Sequence, residues 1–169
     1  MSELHHTERL QPSLLDRLTD LAPDQKRESQ DQQTLTIAQI RRAVLRDLGW
    51  LLNATNLHAL DELPEGSPVL ASTLNYGIPA IAGLDALGRR ATTVERAVAE
   101  AIRAYEPRIR AETLQVRARP IPEDQALPTL VLEIRGELWA QPVPQQIFLE
   151  TAIELETRIA VVTEAKGRA

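Results

Sequence analysis

Cysteine is absent from the chain, which excludes a disulfide framework, a thiolate metal site and a cysteine nucleophile. That composition suits a reducing cytoplasm. Aromatic residues are nearly as scarce: Trp50, Trp139, Tyr76, Tyr105 and Phe148 amount to 3% of the sequence. The core must therefore rest on Leu, Ile, Val and Ala, and there is little material for aromatic ligand cages or base-stacking platforms. No run of about 18 apolar residues occurs, and "MSELHHTERLQPS" lacks the basic start and apolar segment of a secretory signal. The expectation is a soluble, cytoplasmic protein without direct membrane insertion. No long Lys/Arg tract is present either, and a formal net charge of −5 argues against nucleic acid, whose phosphates need a positive field. Only local basic spots remain.

What is present fits one domain with extensions: 169 residues, 43% of them hydrophobic, suffice for a substantial core. Leu10, Leu14, Leu15, Leu18 and Leu21 give a short N-terminal helix one apolar stripe, with Ser13 placed to cap it. The segment "APDQKRESQDQQ" is polar and aperiodic, and reads as a linker. Residues 1–33 thus form an extension carrying a short amphipathic helix, residues 34–160 an α+β domain, and residues 161–169 a flexible tail. Thr36 and Gln39 have capping-box spacing, and Ile37, Ile40, Val44, Leu48 and Leu51 trace one face of a long helix. Arg41, Arg42, Arg46 and Asp47 occupy much of its remainder and read as a solvated face, with a partner surface as the alternative. "NATNLHALDELPEGSP" reads as a polar loop. In "VLASTLNYGIPAIAGLDALGRR" Gly and Pro limit the chain to a short extended piece, a turn and one helical turn.

Thr92 and Glu95 repeat the capping-box spacing, and Val94, Val98, Ala101, Ile102 and Tyr105 give a second long helix its buried face. After Pro107 the period changes to two. Leu114, Val116 and Ala118 alternate with polar neighbours, as do Leu130, Leu132 and Ile134, giving two strands joined by "PIPEDQALP". Ile147, Leu149, Thr151, Ile153 and Leu155 form a third alternation. A helix could use some of these positions, but unbroken alternation favours a strand. The expected fold class is α+β: two long helices and a short N-terminal helix packed with a mainly antiparallel sheet of three strands, extensible to four.

Few residues offer chemistry. His5 and His6 are adjacent near the N-terminus and His58 lies in a loop without ligand spacing, whereas a metal site needs three or four converging donors. No GxGxxG, GxSxG or HExxH motif occurs, and no Walker P-loop. The tripeptide Glu106, Pro107, Arg108 is the most distinctive feature. Pro107 cannot donate a backbone hydrogen bond and pushes Glu106 away from helical angles, so the helix must stop there. The two charges then flank a stiff corner, suited to mutual pairing, to gripping complementary charges on another chain, or to plain solvation. As a catalytic acid Glu106 has no evident carboxylate partner, and a neighbouring Arg108 would lower its pKa, the wrong direction for an acid.

"LQPSLLDRLTD", "RRAVLRDLGWLLNAT", "VLASTLNYGIPAIAG" and "AIRAYEPRI", followed by a strand meander, occur in the order of TssE. The chain from about residue 10 to 158 resembles that family of type VI secretion baseplate subunits, related to tailed-phage baseplate wedge proteins once labelled lysozyme-like. The resemblance implies a non-enzymatic structural subunit with no cofactor, contacting TssF, TssG and, as a further candidate, TssK, near where the contractile sheath and tail tube begin. It carries Glu106, Pro107 and Arg108 over as the signature of wedge and sheath-platform contacts, and Asn75, Tyr76, Gly77 and Pro79 as the second family segment. An acidic residue commonly follows that proline in the family; here Ala80 stands in its place. Leu14, Leu15 and Leu18 complete the expected protein-contact residues. Two alternatives remain: a peptidoglycan hydrolase using Glu106, and a nucleic-acid-binding module using Arg117, Arg119 and Arg135.

Overall fold

Seventeen residues, Ile37–Asn53, form the first long helix of the computed structural model, which describes residues 13–19, 36–80, 89–119, 129–139, 145–154, 157 and 159–165. The short helix α1 (Leu14–Leu18) precedes this α2, and the one-turn α3 (Leu57–Leu60) and long α4 (Arg89–Tyr105) follow it. Strands β1 (Gln115–Arg119), β2 (Thr129–Leu138), β3 (Gln145–Glu154) and β4 (Ala160–Glu164) complete the chain. They form one antiparallel sheet in sequence order. This is the α+β class expected from the pattern.

The capping box of α2 forms as its spacing requires. Gln39 N–H donates to Thr36 Oγ1 at 3.2 Å and Thr36 N–H to Gln39 Oε1 at 2.8 Å, so two of the orphan donors at the helix start find partners. The buried face of α2 carries Ile40, Val44, Leu48 and Leu51, while Ile37 stays exposed. With Val94, Val98 and Ile102 of α4 this face covers one side of the sheet. That side carries Leu130, Leu132 and Ile134 of β2 and Ile147, Leu149 and Ile153 of β3. The other side is mainly polar, with Glu133, Arg135, Glu137, Gln146 and Glu150 beside Val131, Phe148 and Val161, as an antiparallel sheet with helices on one face divides its residues.

Side chains from both long helices grip the sheet edges. Asn53 of α2 donates to the carbonyl of Ala160 at 2.9 Å and accepts its N–H at 2.9 Å. Glu95 of α4 accepts the N–H of Ala118 in β1 at 2.6 Å. Each bond satisfies an edge group that no neighbouring strand can reach.

Several local expectations need correction. Thr92 does not open α4, because the helix already runs from Arg89 and Glu95 is committed to β1 rather than to a capping box. Residues 160–164, read as the domain end and the start of a tail, form β4 against β3. Helix α3 interrupts the loop read after Asn53; Asn56 caps it, accepting the N–H of Ala59 at 3.0 Å. Residues 68–71 and 73–75 form two short 3-10 helices in place of an extended piece. The Leu10 and Leu21 positions, the linker, His5 and His6, the loop 120–128, Leu155 and residues 166–169 lie outside the described residues.

One core position contradicts its surroundings. Thr151 is fully buried on the inward face of β3, opposite Leu132 and Val162, and its hydroxyl has no hydrogen-bond partner among the described residues. A buried unpaired hydroxyl costs about 1–3 kcal/mol. Thr151→Val is therefore expected to stabilise the protein by about 1 kcal/mol, raising Tm by about 2–4 °C for a chain of this size. Thermal unfolding checks it, and an unchanged or lower Tm would mean that the hydroxyl is solvated.

Candidate functional site

The corner after α4 is stitched to the end of β2. Glu106 N–H donates the last helical bond to Ile102 at 2.9 Å, and the proline then ends the helix. Beyond it Arg110 N–H donates to Glu137 O at 2.9 Å, Trp139 N–H to Arg108 O at 2.7 Å, and Ile109 bridges antiparallel to Leu138. Backbone bonds on both flanks hold Glu106, Pro107 and Arg108 in one pose.

Within that pose the two charges meet. Glu106 is 2% exposed. Its Oε1 accepts the backbone N–H of Arg108 at 3.1 Å and the Nε–H at 2.7 Å, and its Oε2 accepts from Nη2. Arg108 Nη2 donates also to Asp47 Oδ2 of α2 at 2.5 Å. Burial acts to lower the pKa of Arg108, but hydrogen bonds and opposite charges from Glu106 and Asp47 outweigh it and raise it. The guanidinium is permanently charged, and both Glu106 oxygens are spent on it.

The network continues past the corner. Arg46 donates from Nε to Asp47 Oδ1 at 2.8 Å and from Nη1 to Asp16 Oδ1 of α1 at 2.7 Å, and its guanidinium lies 5.0 Å from the centre of the Trp50 ring. Burial works against ionisation of Asp16, yet bonds from Arg46 and Ser13 and the charges of Arg46 and Arg108 hold its carboxyl below the usual range. Five side chains, Asp16, Arg46, Asp47, Arg108 and Glu106, thus alternate in sign from the N-terminal helix to the corner. On the face of α2 read as solvated, Arg42 is exposed as expected, but Arg46 and Asp47 are tied internally, and Arg41 pairs with Glu164 of β4 and donates to Gln146 O at 2.8 Å. Pattern analysis missed Asp47 although a signal existed. It falls three residues after Val44 and four before Leu51, on the edge of the apolar stripe, where a charge requires a partner.

The other expected residues separate into two groups. Asn75 accepts the N–H of His58 at 2.9 Å and donates to Leu70 O at 3.1 Å. Tyr76 packs edge-on against Tyr105, ring centres 5.2 Å apart, and Tyr105 donates its hydroxyl proton to Ser72 O at 2.9 Å. Gly77 is buried, with φ at 123°, where the chain passes under Ala54. These three bind their own chain; Pro79 is exposed. Leu14, Leu15 and Leu18, by contrast, are 71%, 45% and 74% exposed, so their apolar stripe does not join the core. His58 Nδ1 accepts the N–H of Leu63 at 3.2 Å. Among the described residues no three His, Asp or Glu converge as a metal site would require, and no helix is long and apolar enough to cross a membrane. On the polar sheet face Arg119 and Arg135 both pair with Glu133, so acidic residues offset two of the three candidate nucleic-acid arginines.

In a comparison with known families, residues 38–143 match the model described as "Baseplate wedge protein gp25". That span includes α2 from its second residue, the 75–79 segment, the whole corner and β2. Among curated proteins no sequence matches the chain.

Proposed function

We propose a mechanism from one premise: the chain belongs to the baseplate wedge protein gp25 family, which gives it a phage-baseplate-like structural role. The finer reading is a cytoplasmic subunit of a type VI secretion baseplate, joining TssF- and TssG-type wedge proteins and helping the contractile sheath and tail tube to begin assembly. The observation that carries an assembly role is the exposure of Leu14, Leu15 and Leu18. Three leucines on one short helix are left in water while Asp16, on the same helix, is tied to the body. An amphipathic helix held this way suits insertion into a hydrophobic groove of another subunit.

Catalysis by Glu106 is disfavoured by its burial and by its bonds to Arg108, which engage both carboxylate oxygens and favour the ionised form over a proton-donating acid. The corner serves this reading as a rigid mount rather than as a charged claw.

Co-expression with TssF- and TssG-type partners tests the proposal. The double substitution Leu14→Ser with Leu18→Ser is expected to leave the thermal transition of the isolated protein unchanged, because both side chains already face water. Co-purification is expected to fall at least about tenfold, the loss of roughly 1.4 kcal/mol of binding. Undiminished co-purification would remove the leucine helix from the interface, and hydrolysis of peptidoglycan by the purified protein would replace the structural reading with an enzymatic one.

A further inference from the structure

We propose that Asp47 and Arg46 are positioning residues that make the N-terminal helix and the Glu106–Arg108 corner one mechanically coupled unit. The inference deepens the assembly reading, by stating how the leucine face is aimed, but it concerns the isolated chain alone.

The geometry supplies the coupling. Asp16 is anchored to Arg46 at 2.7 Å, Arg46 to Asp47 at 2.8 Å, and Asp47 to Arg108 at 2.5 Å. Glu106, nearly inaccessible to water, terminates the row. Each carboxylate between two guanidiniums, and each guanidinium between two carboxylates, is oriented by both neighbours. Displacing one member therefore weakens the next bond as well as its own. The row is also partly sheltered: side-chain exposures are 15% at Asp16, 35% at Arg46, 23% at Asp47 and 26% at Arg108. Salt screening is weaker there than on an open surface.

Among the described residues the helix has little else to hold it. Five residues are too few for a stable isolated helix, and its three leucines are exposed rather than packed. Ser13 caps it by accepting the Asp16 N–H at Oγ, 3.3 Å, and its hydroxyl donates in turn to Asp16 Oδ2 at 2.6 Å. The carboxylate that orients the capping hydroxyl is thus the same group that receives Arg46, so docking and the helix cap share one side chain. A change at the corner is transmitted through Asp47 and Arg46 to the pose of Leu14, Leu15 and Leu18.

Because the chain has no cysteine, two introduced ones report the pose cleanly. Spin labels at Leu18→Cys and Arg42→Cys, both exposed positions, are expected to give one narrow distance distribution in the full chain. Asp47→Asn keeps the side-chain size and removes the central charge; with it the docked-to-released ratio is expected to fall about fivefold, the scale of coupling within one charge network. Arg108→Ala is expected to release the helix likewise, although Arg108 lies one residue of the network further away. Arg41→Ala, which breaks the separate pair with Glu164, should leave the distribution narrow. Release by Arg46→Ala with none by Asp47→Asn or Arg108→Ala would overturn the proposal, since α1 would then depend on one local pair. Release by Arg41→Ala would overturn it too. None of these outcomes depends on partner binding, so the coupling and the assembly reading fail separately.

Discussion

Arg108→Ala is expected to destabilise the protein by about 2–4 kcal/mol, a cost that a solvated charge would not carry. The substitution strips a carboxylate that is 2% exposed of its guanidinium partner. Breaking a buried pair from one side typically costs about 3–5 kcal/mol. The lower figure allows for Arg108, whose side chain is 26% exposed, and for Asp47, which can turn to water. Urea unfolding should show a lower midpoint with an unchanged slope. Glu106→Leu combined with Arg108→Met is expected to cost less than Arg108→Ala alone, because no buried charge is stranded at position 106. A change below about 0.5 kcal/mol for Arg108→Ala would mean that water reaches Glu106. The corner is therefore a structural support first, and an assembly defect in Arg108→Ala has to be read against its stability.

Gly77→Ala carries the second large effect. Gly77 sits at φ 123°, and a β-carbon there would lie 2.5 Å from the carbonyl oxygen of Ala54 and 2.9 Å from the nitrogen of Asn56. Both are main-chain atoms, so no side chain can swing aside. Relief requires parting the two segments, at the expense of Ile78 N–H to Ala54 O at 2.9 Å and Asn56 N–H to Ile78 O at 3.0 Å. Backbone strain of about 1–3 kcal/mol adds to those losses, and a total near 4 kcal/mol is expected. Gly66 is the internal comparison: its φ is 77°, yet nothing approaches the position of an added β-carbon. Gly66→Ala should cost only about 1 kcal/mol, and equal losses at the two sites would show that backbone angle, not crowding, decides. The requirement at residue 77 accounts for the glycine in "LNYG" without any external contact.

How much of this was legible depended on range. The Thr36 and Gln39 capping box, the stop at Pro107, and the inward residues of β2 and β3 are local matters, set within a few positions by hydrogen-bond geometry and side-chain period. Where the same local rule competed with a distant partner, it misled. Glu95 has capping-box spacing from Thr92 but bonds to β1, and the five residues of β4 became a strand because β3 and Asn53 offered their backbone partners.

The sequence by itself determined an α+β chain free of cysteine chemistry, the faces of its helices and strands, and a rigid acid–proline–base corner whose family resemblance the match over residues 38–143 bears out. Tertiary structure alone decided what the charges do. Asp16 and Arg46 are thirty residues apart, and Asp47 and Arg108 sixty-one; periodicity says which face of an element is apolar, but an ion pair exists only when packing brings its two ends together and removes the water between them.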